Sequence, residues 1–222
     1  GFTAVIGALI SLEAIPLVWY RMGIASILVV LYVLIAKKKI KFSKKVLFGF
    51  FIAGFIIAVH WLTFFGAIKV SNVSVTLAIM STGAFFTSLL EPMFYKRKVI
   101  YYELIFGLIA IVGLLIIFQA SAEYFWGIIL ALISAFLSAL FSVINGQYAK
   151  RYDASVISMY ELIFGVLCIS VFLFFTGGFS ADFFKISASD WWYLFLLASV
   201  CTAYAFIASI HVMRWISPFT VM

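Results

Sequence analysis

Charge is what this sequence has least of. Only 10% of its 222 residues are Asp, Glu, Lys or Arg, and eight of them are acidic. A soluble domain is normally about 25% charged and about 45–50% apolar. Here the hydrophobic share is 67% and the mean hydropathy is +1.25, so a soluble globular domain is excluded. Disorder is excluded for the same reason. Two cysteines make no disulfide framework, and Cys168 and Cys201, isolated in apolar runs, read as small apolar fillers. The chain has no H-E-x-x-H, no Cys/His cluster of zinc spacing, no Walker loop and no G-x-S-x-G. No cofactor, metal or enzymatic chemistry is therefore expected. Without a nucleotide-binding loop, work must be driven by an ion or substrate gradient.

What remains is a polytopic, all-α integral membrane protein. Apolar runs cover about 17–36, 46–66, 73–95, 99–118, 125–147, 154–176 and 191–212. One further run ends near Ile10 and another starts near Ser217. Most match the roughly 20 residues that a ~30 Å hydrocarbon core requires of a helix. No period-2 alternation of the barrel type is present, so helices alone can satisfy the backbone in lipid. The first run lacks a basic n-region and an A-x-A site, and is not read as a signal peptide.

The net charge of +7 sits in alternate loops rather than on a nucleic-acid face. Lys37, Lys38, Lys39, Lys41, Lys44 and Lys45, then Lys96, Arg97 and Lys98, then Lys150, Arg151 and Arg214 fall on one side. That is twelve of fifteen positive residues, leaving Arg21, Lys69 and Lys185 for the other. The positive-inside rule makes the lysine-rich side cytoplasmic; the expected location is a cell inner membrane. Trp126, Trp191, Trp192 and Tyr193 fall where an aromatic belt belongs.

A weak internal repeat accompanies this topology. A shift of 140 places Val18-Trp19-Tyr20-Arg21 on Ser158-Met159-Tyr160-Glu161 and Glu13 on Asp153. A shift of 145 places Lys69 on Arg214. The second and seventh runs point in opposite directions, as two inverted halves of five helices require. The expected fold is thus a ten-helix, two-half inverted-repeat transporter, with part of helix one, most of helix nine and all of helix ten absent. Its halves would be residues 1–118, helices one to five, and residues 119–222, helices six to eight and the start of nine. Tyr-Glu-Leu-Ile-Phe-Gly occurs at both Tyr102–Gly107 and Tyr160–Gly165, outside the repeat register and without a physical explanation at this level.

The repeat order, the short loops and the stretch His60-Trp61-Leu62-Thr63-Phe64-Phe65-Gly66-Ala67-Ile68-Lys69 resemble the EamA family of the drug/metabolite transporter superfamily. The Ser-rich opening of helix four and Gly107-x5-Gly113 fit the same pattern. The family's proline in mid-helix four is replaced around Gly83-Ala84, and its Gly-Glu after that helix by Tyr95-Lys96-Arg97. The resemblance implies two inverted halves around a central cavity, export or exchange of small metabolites, often amino acids, and helices five and ten holding the halves or a homodimer together.

Polar groups at depth are the candidates for function, since an ionisable side chain there costs about 2.5–3.5 kcal/mol. His60 shares a helix face with Phe64 and adjoins Trp61, so the three are expected to line a substrate pocket. A His there could bind a carboxylate or take up a proton, or simply bond a neighbouring helix. Arg21 and Glu161 occupy equivalent places, about one turn inside their helices, as gating charges or as snorkelling interfacial ones. Ser81, Thr82, Asn145 and Tyr204 are milder substrate-binding candidates, each also readable as structural. Phe85 and Phe86 could add an aromatic lining. Glu91 and Glu103 are expected to pair with Lys96, Arg97 and Lys98, and His211 to sit at the inner interface.

The function these residues suggest is a secondary transporter exporting a small amphipathic metabolite, such as an amino acid, by alternating access. Exchange or proton coupling would drive it. A nucleotide-sugar or phosphorylated-metabolite exchanger of the same superfamily is the alternative, although only Arg21 is available as a cation at depth. A membrane scaffold or channel would not require an inverted repeat.

Overall fold

A computed structural model describes residues 2–118 and 124–221, and among them every regular element is helical. In chain order these are α1 (Phe2–Leu9), α2 (Ala14–Ile35), α3 (Lys44–Val70), α4 (Val73–Met80), α5 (Gly83–Tyr95) and α6 (Tyr101–Phe118). There follow α7 (Phe125–Ala149), α8 (Ala154–Thr176), α9 (Ala188–Ala198), α10 (Ala205–Val212) and α11 (Pro218–Val221). A 3-10 turn spans Ala181–Phe184, and a π-helical turn, Ser199–Tyr204, joins α9 to α10. Six segments are long and apolar enough to cross a membrane: α2, α3, α4 with α5, α7, α8, and α9 through α10. The 18-residue α6 adds a further apolar helix.

The caps follow from the residues available. Asn72 accepts a hydrogen bond from the Val75 amide at 2.9 Å and starts α4, and Asp153 accepts one from the Ser155 amide at 3.0 Å and starts α8. Gly177, at φ +67°, ends α8 in the left-handed conformation that only glycine adopts without strain. Between α4 and α5 the helix is interrupted at residues 81 and 82. Ser81 and Thr82 take over the break. Their hydroxyls bond the Ala78 and Ile79 carbonyls at 2.7 Å each, and their amides bond the same carbonyls in 3-10 fashion.

The core sits around α3, which packs along α7 and α8, while α2 lies against α8. Small residues make the central crossing possible. A β-carbon added at Gly54 would stand 2.5 Å from the Glu161 carbonyl oxygen, and one at Gly165 would stand 2.9 Å from the Gly54 oxygen. Close backbone approach of this kind is how membrane helices associate when lipid removes the hydrophobic drive between them. It also accounts for part of the duplicated hexapeptide, since Gly107 meets the Phe85 backbone in the same manner, with Cα 2.9 Å from an added β-carbon. Both copies place their glycine at a crossing.

Each end of the bundle is tied separately. At the lysine-rich end Arg97 takes both acids that the sequence assigned to its neighbourhood, with Nη2 2.9 Å from Glu103 and Nε 3.3 Å from Glu91. Glu91 also accepts the Phe219 amide at 3.2 Å, and Arg214 donates to the Ala149 and Tyr152 carbonyls at 2.8 and 2.7 Å. Exposed His211 lies against Trp215 at the same end. At the opposite end Ser11 bonds Asp190 through its amide and hydroxyl, and Lys69 bonds the Ile10 carbonyl at 2.6 Å. Trp126, Trp191 and Trp192 are all exposed, as an interfacial belt would be.

Two outcomes follow. Gly54→Val should lower the unfolding midpoint in detergent by the equivalent of about 1–3 kcal/mol, whereas Gly113→Ala, whose added carbon meets nothing within 4 Å, should leave it unmoved. An unchanged midpoint for Gly54→Val would mean the crossing yields. In the loops, burial alone would raise the Asp153 carboxyl, but bonds from Lys38 (2.8 Å) and Ser155 outweigh it and hold the group below the usual carboxylate range. A depressed folded value gives stability that is present above the unfolded value and lost as pH falls through the folded one. Asp153→Ala should therefore cost about 1 kcal/mol, cap included, above about pH 4. Unfolding scans down a pH series should show the difference from wild type shrinking below that point.

Candidate functional site

A cavity of about 340 Å³ lies between helices from both ends of the sequence, lined from α1, α2, α3, α4, α7, α10, α11 and the π turn. Arg21, His60, Trp61 and Phe64 all line it. The rest of the wall includes Phe141, Phe206 and serines of α7 and α10. No Asp or Glu lines it, and Arg21 is its one Lys or Arg side chain.

Depth follows from helix length. Because α3 runs on to Val70, His60 is ten residues from that end, about 15 Å along the axis and close to mid-membrane. Arg21 and Glu161 each stand seven residues beyond the first residue of their helices, Ala14 and Ala154. That is about two turns in, deeper than the one turn expected, and the side chains behave accordingly. Arg21 does not snorkel: it is 2% exposed.

The guanidinium is held from two sides. Its Nε donates to Thr202 Oγ1 at 2.6 Å, and its Cζ lies 4.0 Å from the centre of the Trp61 ring. Phe65 lies further off, at 5.4 Å. The π turn sets up this grip. There Thr202 donates its hydroxyl to the Leu197 carbonyl, five residues back, at 2.7 Å, so that the same oxygen accepts from Arg21. Nη1 is buried and has no hydrogen-bond partner, and no Asp or Glu among the described residues forms an ion pair with Arg21.

His60 is fixed by Ser134. Its Nδ1 is 2.9 Å from both the Ser134 carbonyl and the Ser134 hydroxyl, which itself donates to the His60 carbonyl at 3.0 Å. A ring that donates from Nδ1 to that carbonyl keeps Nε2 as the acceptor. Trp61 leans on Phe206, which stacks on Phe141 at 5.3 Å, so an aromatic wall runs on from the ring that holds the cation.

A family model described as "EamA-like transporter family" matches residues 1–119. The chain belongs to the EamA-like transporter family. A solved structure described only as "Crystal structure of protein" is 13% identical, covers 99% of this chain and 79% of that one, and superposes with a TM-score of 0.71. At that identity the likeness is one of fold alone. No curated protein matches.

This EamA-like chain does not gather every sequence candidate into one place. Thr82 is buried and Ser81 exposed at the α4–α5 break, and neither lines the cavity, although their neighbour Met80 does. Phe85 and Phe86 also lie outside the lining, with Phe86 packed against Phe136. Tyr204 is 73% exposed on the far side of the π turn, in an open groove with Tyr32 and His211. Asn145 and Glu161 are both fully buried and face one another across α7 and α8. Neither the amide nor the carboxyl reaches hydrogen-bond geometry with any described residue.

Sequence reading missed Thr202, Phe141, Phe206 and the serine stripe of α7. Ser134, Ser138 and Ser142 recur every four residues on that helix, which places them on one face. That spacing was a readable signal. Ser134 holds His60, and Ser138 and Ser142 line the cavity. Thr202 carried no such signal, because its position depends on the π turn.

The two cysteines should report on this geometry. Cys201 lines the cavity, whereas Cys168 lies in an apolar crevice between α3 and α8. In reconstituted protein a charged methanethiosulfonate should label Cys201, and Cys168 should need a lipid-soluble maleimide, as read by peptide mass mapping. The reverse pattern would mean that water does not reach the cavity.

Proposed function

We propose that this chain is the carrier part of a secondary transporter that exports a small amphipathic metabolite, amino-acid-like in size and polarity, by alternating access. The lysine-rich loops face the cytoplasm, and the membrane is the inner membrane. The observation that carries this reading is the mid-depth cavity, which joins one buried cation and one histidine to aromatic walls contributed from both parts of the chain. Its size suits a solute of few heavy atoms, and its mixed lining suits one with a polar end and an apolar end.

In this reading His60, Trp61 and Phe64 contact the substrate, Arg21 orients it, and Glu161 with Asn145 forms a polar point toward the lysine-rich mouth. Residues 1–118 and 119–222 act as the two inverted halves that rock about the cavity. Exchange for a second solute, or a proton taken up at His60, drives the cycle. A homodimer would use the exposed apolar face of α6.

The test is counterflow uptake of pooled labelled amino acids into proteoliposomes. Saturable uptake is expected, and His60→Ala should reduce it about tenfold, the loss that one hydrogen bond of about 1.4 kcal/mol produces. Saturable uptake that His60→Ala leaves intact would return His60 to a structural role. Absence of uptake for every amino acid would remove the amino-acid reading.

A further inference from the structure

We infer that Arg21 is the carboxylate-binding subsite of the cavity, and that the solute bound there is a monoanionic organic acid with an apolar body. This rests on the carrier reading above for its place in transport, but the binding chemistry stands on its own geometry. Thr202 takes Nε and the Trp61 ring takes one face of the guanidinium, so both the plane and the rotation of the group are fixed. What is left is the Nη edge, with Nη1 buried and unpartnered in a side chain only 2% exposed. A guanidinium edge presents parallel N–H donors that match the two oxygens of a carboxylate.

Charge counting selects the class of anion. The cavity lining holds one full positive charge and no carboxylate. Lys69, in the last turn of α3, is committed to the Ile10 carbonyl. A carboxylate of charge −1 neutralises Arg21, whereas a phosphate monoester of about −1.5 to −2 would leave uncompensated charge among aromatic walls. The aromatic side formed by Phe141, Phe206 and Phe64 then receives the apolar part of the same molecule.

Cys201 shares the cavity and serves as the reporter, in the full chain reconstituted with Cys168→Ala. The probes are 3-phenylpropionate and its amide, 3-phenylpropanamide, which differ in the carboxylate alone. The acid should slow methanethiosulfonate labelling of Cys201 at concentrations where the amide does not, and Arg21→Gln should abolish the difference. Labelling by the anionic sulfonatoethyl reagent relative to the cationic trimethylammonioethyl reagent should also fall about tenfold or more in Arg21→Gln, since a charge near the thiol is removed. Thr202→Val keeps the charge and frees the guanidinium. It should retain the reagent ratio while weakening the acid's protection, which covers the case in which Arg21→Gln does not fold.

Equal protection by acid and amide, or protection by neither, would overturn the inference. Counterflow separates the two readings. Amino-acid counterflow that persists without acid preference removes the subsite and leaves the carrier. Acid-selective protection without any counterflow keeps the subsite and removes the carrier.

Discussion

A guanidinium in a membrane-spanning helix costs about 2.5–3.5 kcal/mol, and the arrangement around the cavity is built to offset that cost at Arg21. A desolvated cation–π contact contributes about 2 kcal/mol, and a hydrogen bond to a charged group about 1.5–3 kcal/mol. Trp61 and Thr202 supply one of each. The sum is enough to keep the side chain inside the bundle rather than at the interface, and it does so without a carboxylate. The cavity is therefore left with a positive charge that is tolerated but not neutralised.

Those two contacts come from different parts of the chain. Trp61 is on α3, and Thr202 is in the π turn between α9 and α10. They meet at Arg21 because α2 packs directly against both α3 and the π turn. The π turn does the rest, by leaving Thr202 bonded five residues back and so aimed at α2. π turns of this kind cost helical regularity and tend to mark functional positions. The serine stripe of α7 has the parallel task for His60, holding the ring through Ser134 so that its tautomer and direction are settled before any solute arrives.

The contrast between Arg21 and Glu161 shows how little a repeat register says about environment. They are equivalent by a shift of 140 and equally deep in their helices, yet one meets an aromatic ring and an open cavity while the other meets a helix crossing and an amide. The same holds for the two copies of Tyr-Glu-Leu-Ile-Phe-Gly. Glu103 pairs with Arg97 at a helix end, and Glu161 has no ion pair among the described residues. Glycine is the part of the motif whose role is the same in both places, because a close crossing needs the absence of a β-carbon whatever surrounds it.

The chain by itself determined that it lives in a bilayer, how many apolar runs it has, and where they begin and end to within a few residues. Those are local properties, since transfer free energy is summed along a segment of known length. The family was legible too, as a pattern of many weak positions around His60–Lys69. Only the tertiary structure decided which deep residues share a cavity. It brought Arg21, His60, Trp61 and Phe64 together, set Tyr204 on the outside and put Ser81 and Thr82 to work closing a helix break. Membership of a cavity depends on how each helix is rotated and where it crosses its neighbours, and that is fixed by glycine contacts and a π turn whose partners are more than a hundred residues away.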